Sequence, residues 1–171
     1  MRLVRNIIIF IVALVAGLAI FMPKLNLYYY LEDKLAQNGV IIYNENATST
    51  IGSLKLSNAN VSYQGADIAT IGKLKAMLFI AYNKLEAKNI ELAGIARQFA
   101  NIEIDNLKAT HTLLKPYIVK ISANGSFGVA NGYANLKQRV LHLDIVDAKD
   151  IKALKRFLKR GEKGWYYESK F

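Results

Sequence analysis

Two histidines, His111 and His142, are the residues best suited to acid–base or metal chemistry, and the chain contains no cysteine. The lack of thiols excludes disulfides, thiolate catalysis and Cys-ligated zinc together. His142 and Asp144 lie two apart, which on a strand places both on one face. Two ligands do not make a metal site, and no third stands at a useful spacing. Glu103 and Asp105 repeat the same arrangement. Paired carboxylates can serve glycoside hydrolysis, but on a charged strand they read as its solvent side. The pattern Gly125-x-x-Gly128-x-x-x-Gly132 lacks the lysine and the spacing of a phosphate loop. Ser62 and Ser126 have no nucleophile-elbow context. These residues point to no catalytic centre, cofactor or metal, and a non-enzymatic protein is expected.

The elements that would position such residues begin with an apolar run. Ile7 to Met22 reads IIIFIVALVAGLAIFM, sixteen residues without a charge. As a helix it would extend about 24 Å against a hydrocarbon layer of roughly 30 Å, with Leu3 and Val4 lengthening it. Its apolar residues Ile7, Ile8, Ile9, Phe10, Ile11, Val12, Leu14, Val15, Leu18, Ile20 and Phe21 form the expected membrane anchor. Arg2 and Arg5 precede it, so the positive-inside rule keeps the N-terminus cytoplasmic. The rival is a signal peptide cleaved after Ala19, which the apolar continuation through Ile20, Phe21 and Met22 disfavours. Tyr28, Tyr29 and Tyr30 suit an interfacial belt. From Leu25 to Asn38 good helix formers carry Leu27, Leu31 and Leu35 at i, i+4, i+8, and Asn38-Gly39 is a stop signal. This juxtamembrane helix, within residues 23–39, either continues the anchor as a stalk or packs on the domain.

From Val40 to Val146 the period changes to two. Val40–Tyr43 reads as a strand, 44–46 as a turn, 54–63 as a strand pair or a bulged strand, and 64–67 as a turn. Leu74 to Tyr82 reads as one continuous apolar strand. Segments around Ile90, Ile104, Val119 and Leu143 continue the series, and 94–99 has room for one helical turn. An antiparallel meander over 40–147 is the economical reading. Leu54-x-Leu56-x-Asn58-Ala59-x-Val61 is echoed by Leu85-x-Ala87-x-Asn89-Ile90-x-Leu92. In each copy the Asn is expected at a bend or bulge.

The end of the chain, 148–171, reads as a basic amphipathic helix and an aromatic tail. Asp147 and Asp150 suit a capping box, and Ile151, Leu154 and Leu158 fall at i, i+3, i+7 before Gly161. Lys152, Lys155, Arg156, Lys159 and Arg160 would present a surface for anionic phospholipid or an acidic partner, or else a solvated face. Trp165, Tyr166, Tyr167 and Phe171 suit either a final strand or a segment that pairs with another sheet. The chain of 171 residues has room for one domain, and its net charge of +10 is unevenly spread, with Arg2 and Arg5 before the apolar segment, a dense cluster between Lys149 and Lys163, and a middle that is only mildly basic. That distribution favours a membrane or acidic protein face over nucleic acid.

Met22-Pro23, Tyr30-Leu31-Glu32, the Gly39-Val40 strand start, the Leu-x-Leu-x-Asn-Ala-x-Val module at 54–61, and Gly125, Gly128 and Gly132 followed by Leu141-x-Leu143 together resemble the type II secretion system protein N (GspN-like) family. More distantly the chain is similar to AsmA-like envelope proteins. The resemblance covers most of the chain and implies a curved, taco-like antiparallel sheet in the periplasm above one inner-membrane anchor. The function expected is a non-enzymatic scaffold subunit of an envelope machine, a secretion system or the accessory structure of a flagellar motor. The alternative is a lipid-binding or lipid-transfer module using the sheet's apolar face.

Overall fold

A computed structural model describes residues 24–171 apart from Ile51, Ile80, Ala100 and Lys163. The expected anchor at 1–22, and Pro23, lie outside the described residues. Among those described, no helix is long and apolar enough to cross a membrane.

The chain forms one open antiparallel sheet of eleven strands. After helix α1 (Lys24–Gln37) come β1 (Val40–Tyr43), β2 (Asn46–Thr50), β3 (Ser53–Tyr63), β4 (Ala66–Leu78) and β5 (Tyr82–Leu92). A short helix α2 (Gly94–Phe99) leads to β6 (Glu103–Thr112), β7 (Ile118–Gly125), β8 (Gly128–Asn135) and β9 (Val140–Ala148). The last strands are β10 (Lys159–Gly161) and β11 (Gly164–Lys170). From β3 to β9 each strand pairs with its successor; β11 then follows β9, and β10 ends the sheet. The mainly β expectation and the meander hold.

Local chemistry explains most boundaries. α1 stops where Gly39 takes φ +80°, which a glycine adopts without steric cost. Gln64 (φ +50°) and Gly65 (φ +83°) are the two central residues of the β3–β4 hairpin, the sign pattern of a type I′ turn. The Asn echo has a structural origin. β3 and β5 flank β4 on its two sides, so Leu54 and Leu85 both pair with Ala76, and Leu56 and Ala87 both pair with Leu74. Asn58 (φ +56°) and Asn89 (φ +53°) then stand level with Gly72 between them. Asn44 (φ +60°), where β1 gives way to β2 along the same partner strand, extends this line to the sheet edge. Asn tolerates the left-handed region better than other side chains, and β-branched residues tolerate it least. Asn58→Val and Asn89→Val are therefore expected to cost about 1–2 kcal/mol each, with Asn→Gly near neutral. Urea denaturation of the single variants checks this.

Three expectations are corrected, and for α1 the packing alternative left open above is the one observed. Residues 44–46 do not reverse the chain: β1 and β2 both pair with β3, so Asn44 marks a kink, and β2 was not anticipated because Asn-Ala-Thr-Ser-Thr shows no apolar alternation. The run from Leu74 to Tyr82 is not one strand, because β4 ends at Leu78 and β5 begins at Tyr82. Leu31 and Leu35 of α1 are exposed. The helix instead packs through Leu25 and Tyr28 on Leu54, Leu56 and Ala76, so it lies on the domain. Burial and the Glu45 carboxylate that accepts its hydroxyl hydrogen bond at 3.0 Å keep the Tyr28 phenol protonated, its pKa pushed well up.

The last correction concerns 148–160, where the expected amphipathic helix is replaced by bends and turns over 149–157 between two strands. Lys155 N–H donates to the Ile151 carbonyl and Leu158 N–H to that of Leu154, but Leu154 and Phe157 bond only three residues back. Asp147 belongs to β9, and Lys159 to Gly161 are drawn into a hairpin with β11. That pairing leaves too few residues for the helix to recover its nucleation cost. The apolar spacing still works: Ile151 is buried, and Leu154 and Leu158 pack beside it.

Candidate functional site

Two sides of one sheet, rather than a pocket, carry the distinctive chemistry. Because residues directly opposite share a face, the register defines rows that cross the strands. One row runs Leu56, Leu74, Ala87, Leu107, Ala123, Ala130, Ile145 from β3 to β9. The next runs Leu54, Ala76, Leu85, Ala109, Ile121, Gly132, Leu143 and ends on Tyr167 of β11. Both rows are apolar without a break. α1 covers them at the β3 end through Tyr28, and the 151–158 turns cover them at the β8–β9 end through Ile151. Between the covers none of the described elements forms a second layer on the sheet: the small Ala87 and Ala123 are buried, but Leu85 is 38 % exposed and no large described side chain is fully buried.

The rows on the opposite face are cationic. Lys55, Lys75, Glu86 and Lys108 form one, Ser57, Lys73, Lys88 and Asn106 a second, and Met77, Lys84, Thr110 and Lys120 a third. Seven lysines thus share one face of β3–β7 with a single carboxylate, Glu86. Lys55 stands directly opposite Lys75, and Lys73 opposite Lys88, placements that like charges disfavour. Lys84 donates to Glu86 at 2.9 Å, and this bond, with Lys84, Lys88 and Lys108 nearby, holds the Glu86 carboxyl below its ordinary range. Lys55, Lys73, Lys75 and Lys88 line a depression of about 470 Å³. Such a face carries a positive potential. Its lysines are dispersed in the chain, and only the alternate spacing Lys73-x-Lys75 and Lys84-x-Glu86-x-Lys88 hinted that the middle is basic on one side.

No family model, no curated protein and no solved structure matches the chain.

The residues singled out in the sequence separate between the faces and the ends. Lys155 and Arg160 flank Trp165, at 5.6 Å and 5.9 Å from its ring centre, so the basic segment and the aromatic tail do meet. Lys152 and Arg156 lie on the 152–157 turns, Arg156 beside Phe157 at 4.7 Å, and Lys159 on β10. Tyr167 joins the apolar face through Leu143, whereas Tyr166 stacks on His142 on the polar face. Phe171 is exposed beyond β11. The aromatic tail is thus a strand of the chain's own sheet.

His142 is held between the rings of Tyr133 and Tyr166, at 5.7 Å and 5.3 Å, and its nitrogens face Asp144 and Glu168 at 3.2 Å each. The sequence offered Asp144 but not Glu168, which the β9–β11 pairing supplies. Among the described residues no group of three or more His, Asp or Glu is placed to hold a metal ion. His111 meets the Pro116 carbonyl oxygen at 3.0 Å, a contact that shapes the β6–β7 connection. Glu103 faces Glu91 across the β5–β6 pair, and Asp105 lies in an irregularity of β6. Ser126 accepts the Glu103 N–H at 3.1 Å. Gly125 and Gly128 face each other across the β7–β8 hairpin, and Gly132 is mid-strand.

Proposed function

We propose that this chain is a membrane-tethered, non-enzymatic envelope module that holds acyl chains against the apolar face of its sheet. The observation that carries the reading is the pair of unbroken apolar rows from β3 to β9, covered at two places and open between them. An apolar trough of this kind accepts a flexible hydrocarbon chain without requiring polar partners. The tether would be the apolar segment 7–22 with Arg2 and Arg5 before it; the positive-inside rule and the GspN-like resemblance support a sheet in the periplasm above the bacterial inner membrane. The line of left-handed residues at Asn44, Asn58 and Asn89 is the feature about which the sheet would fold over, as the GspN-like resemblance implies.

The full chain extracted in mild detergent is expected to carry phospholipid, detectable by native mass spectrometry. Leu85→Glu with Ile121→Glu, both on the open stretch, should lower bound lipid more than ten-fold by placing charge in an apolar row, while circular dichroism stays unchanged. Full-length protein that purifies free of lipid but with stoichiometric protein partners would sink this reading. That outcome belongs to a second one, a scaffold subunit of a secretion system or flagellar-motor accessory structure. Its support is the edge strand β1, whose Val-Ile-Ile-Tyr backbone is open to added strands and whose Ile41 is 46 % exposed.

A further inference from the structure

We infer that the rim formed by one set of hairpin tips is a second membrane contact, lying on an anionic lipid surface at the level where the chain enters it. The inference rests on the tether reading above. The tips β2–β3, β4–β5, β6–β7 and β8–β9 and the end of β11 all lie at the same end of the sheet. They are linked into one continuous edge by backbone hydrogen bonds. Leu113 N–H donates to the Ala81 carbonyl at 3.0 Å, Leu136 N–H to that of Tyr117 at 2.8 Å, and Phe171 N–H to that of Arg139 at 3.0 Å. At the near end the Phe79 ring lies against Gly52 of the β2–β3 tip, so close that a Cβ there would stand 2.9 Å from it.

The composition of this rim is not that of solvated turns. Phe79, Leu113, Leu114, Tyr117, Leu136 and Phe171 are all exposed, Leu114 by 94 %. Turns are ordinarily built from Gly, Asn, Asp and Ser, because those side chains satisfy the freed backbone and water. Here residues 79–82, 113–117, 136–139 and 169–171 contain no Asp or Glu, while Lys115, Lys137, Arg139 and Lys170 stand among the apolar side chains. Aromatic and aliphatic residues interleaved with cations are what an interfacial surface on anionic lipid requires. At the opposite end of the sheet the connections mix carboxylates, Asp150 and Glu162, with the cations Arg97, Lys149, Lys152, Lys155 and Arg156, so the lack of acidic residues is what sets the rim apart.

The direction of α1 supplies the independent argument for lipid as the occupant. Gly39, past its C-terminus, bonds to Gln64 at the far β3–β4 tip, at 2.8 Å. Leu25, in its first turn, packs on the same cluster as Leu78, the last residue of β4 before the rim. Lys24, where the described residues begin, therefore stands at the rim end of the sheet, and a tether preceding it would enter the domain from that side.

Because the chain has no cysteine, single-cysteine labelling reports depth directly. Full-length Leu114→Cys, Tyr117→Cys and Gln64→Cys would each carry a nitroxide and be reconstituted in vesicles of phosphatidylethanolamine and phosphatidylglycerol. All three sites are exposed, so none disturbs a core. Collision with oxygen relative to a water-soluble nickel complex should be several-fold higher at 114 and 117 than at 64. Labels at 114 and 117 as aqueous as that at 64, on protein that resists an alkaline wash, overturn the rim contact and leave the tether standing. Protein released by the wash overturns both.

Discussion

Gly128→Val is expected to lower stability by about 3–5 kcal/mol, enough to unfold a domain of ordinary marginal stability. Two separate effects add at this position. Gly128 has φ +105°, a conformation that a β-branched residue enters only with strain of about 1–3 kcal/mol. A Cβ there would also fall on the Asp147 carbonyl oxygen and stand 3.0 Å from the Lys149 nitrogen, both backbone atoms that cannot step aside alone. The neighbouring turn gives no relief. Phe127 is buried among Ala123, Ala130 and Ile151, and its carbonyl accepts the Lys149 N–H at 3.0 Å. Gly65→Ala is the control: its φ is +83°, yet nothing lies within 4 Å of the added carbon. It should cost only the conformational part, about 1 kcal/mol. Urea midpoints with an unchanged m-value would establish the contrast. Equal losses would mean that the close β8–β9 approach does not exist in solution.

The strands were legible wherever apolar and polar residues alternate, as along Leu54 to Val61 and Val140 to Val146. The Asn positions were legible because the same module recurs on both sides of β4. What could not be read follows from physical causes of one kind. The turn between Leu78 and Tyr82 carries Phe79 in place of turn residues, so its signal was absent where the rim is apolar. The helix expected at 148–160 had a capping pattern, an apolar stripe and terminal cations, yet pairing of Lys159–Gly161 with β11 outweighed local propensity. Glu168 beside His142 and the seven lysines on β3–β7 are products of register. Residues two apart in one strand are visible as a pair; residues 26 apart, as His142 and Glu168 are, become neighbours only once strands are aligned.

Leu56→Ala is expected to cost about 3 kcal/mol, within the 2–5 kcal/mol range of such truncations, whereas Ile121→Ala should cost about 1 kcal/mol. Both residues sit on the apolar face, so the difference isolates what covers it. Leu56 is 4 % exposed and shares a cluster with Tyr28, Leu54 and Ala76 beneath α1. Its removal leaves a cavity roofed by a helix that is pinned by the Tyr28–Glu45 hydrogen bond and cannot collapse inward. Ile121 lies between Ala109 and Gly132 in its row, with small neighbours and no helix above. Truncating it opens no closed cavity and removes only area that water already reaches in part. The comparison should be made on lipid-free protein, because a bound acyl chain would itself roof Ile121 and stabilise the fold by mass action. In lipid-loaded protein the cost of Ile121→Ala should rise toward that of Leu56→Ala. If the two truncations cost the same without lipid, another surface of the protein covers the middle of the sheet. The face is then a core and not a trough, and holding an acyl chain would have to be abandoned in favour of the scaffold reading.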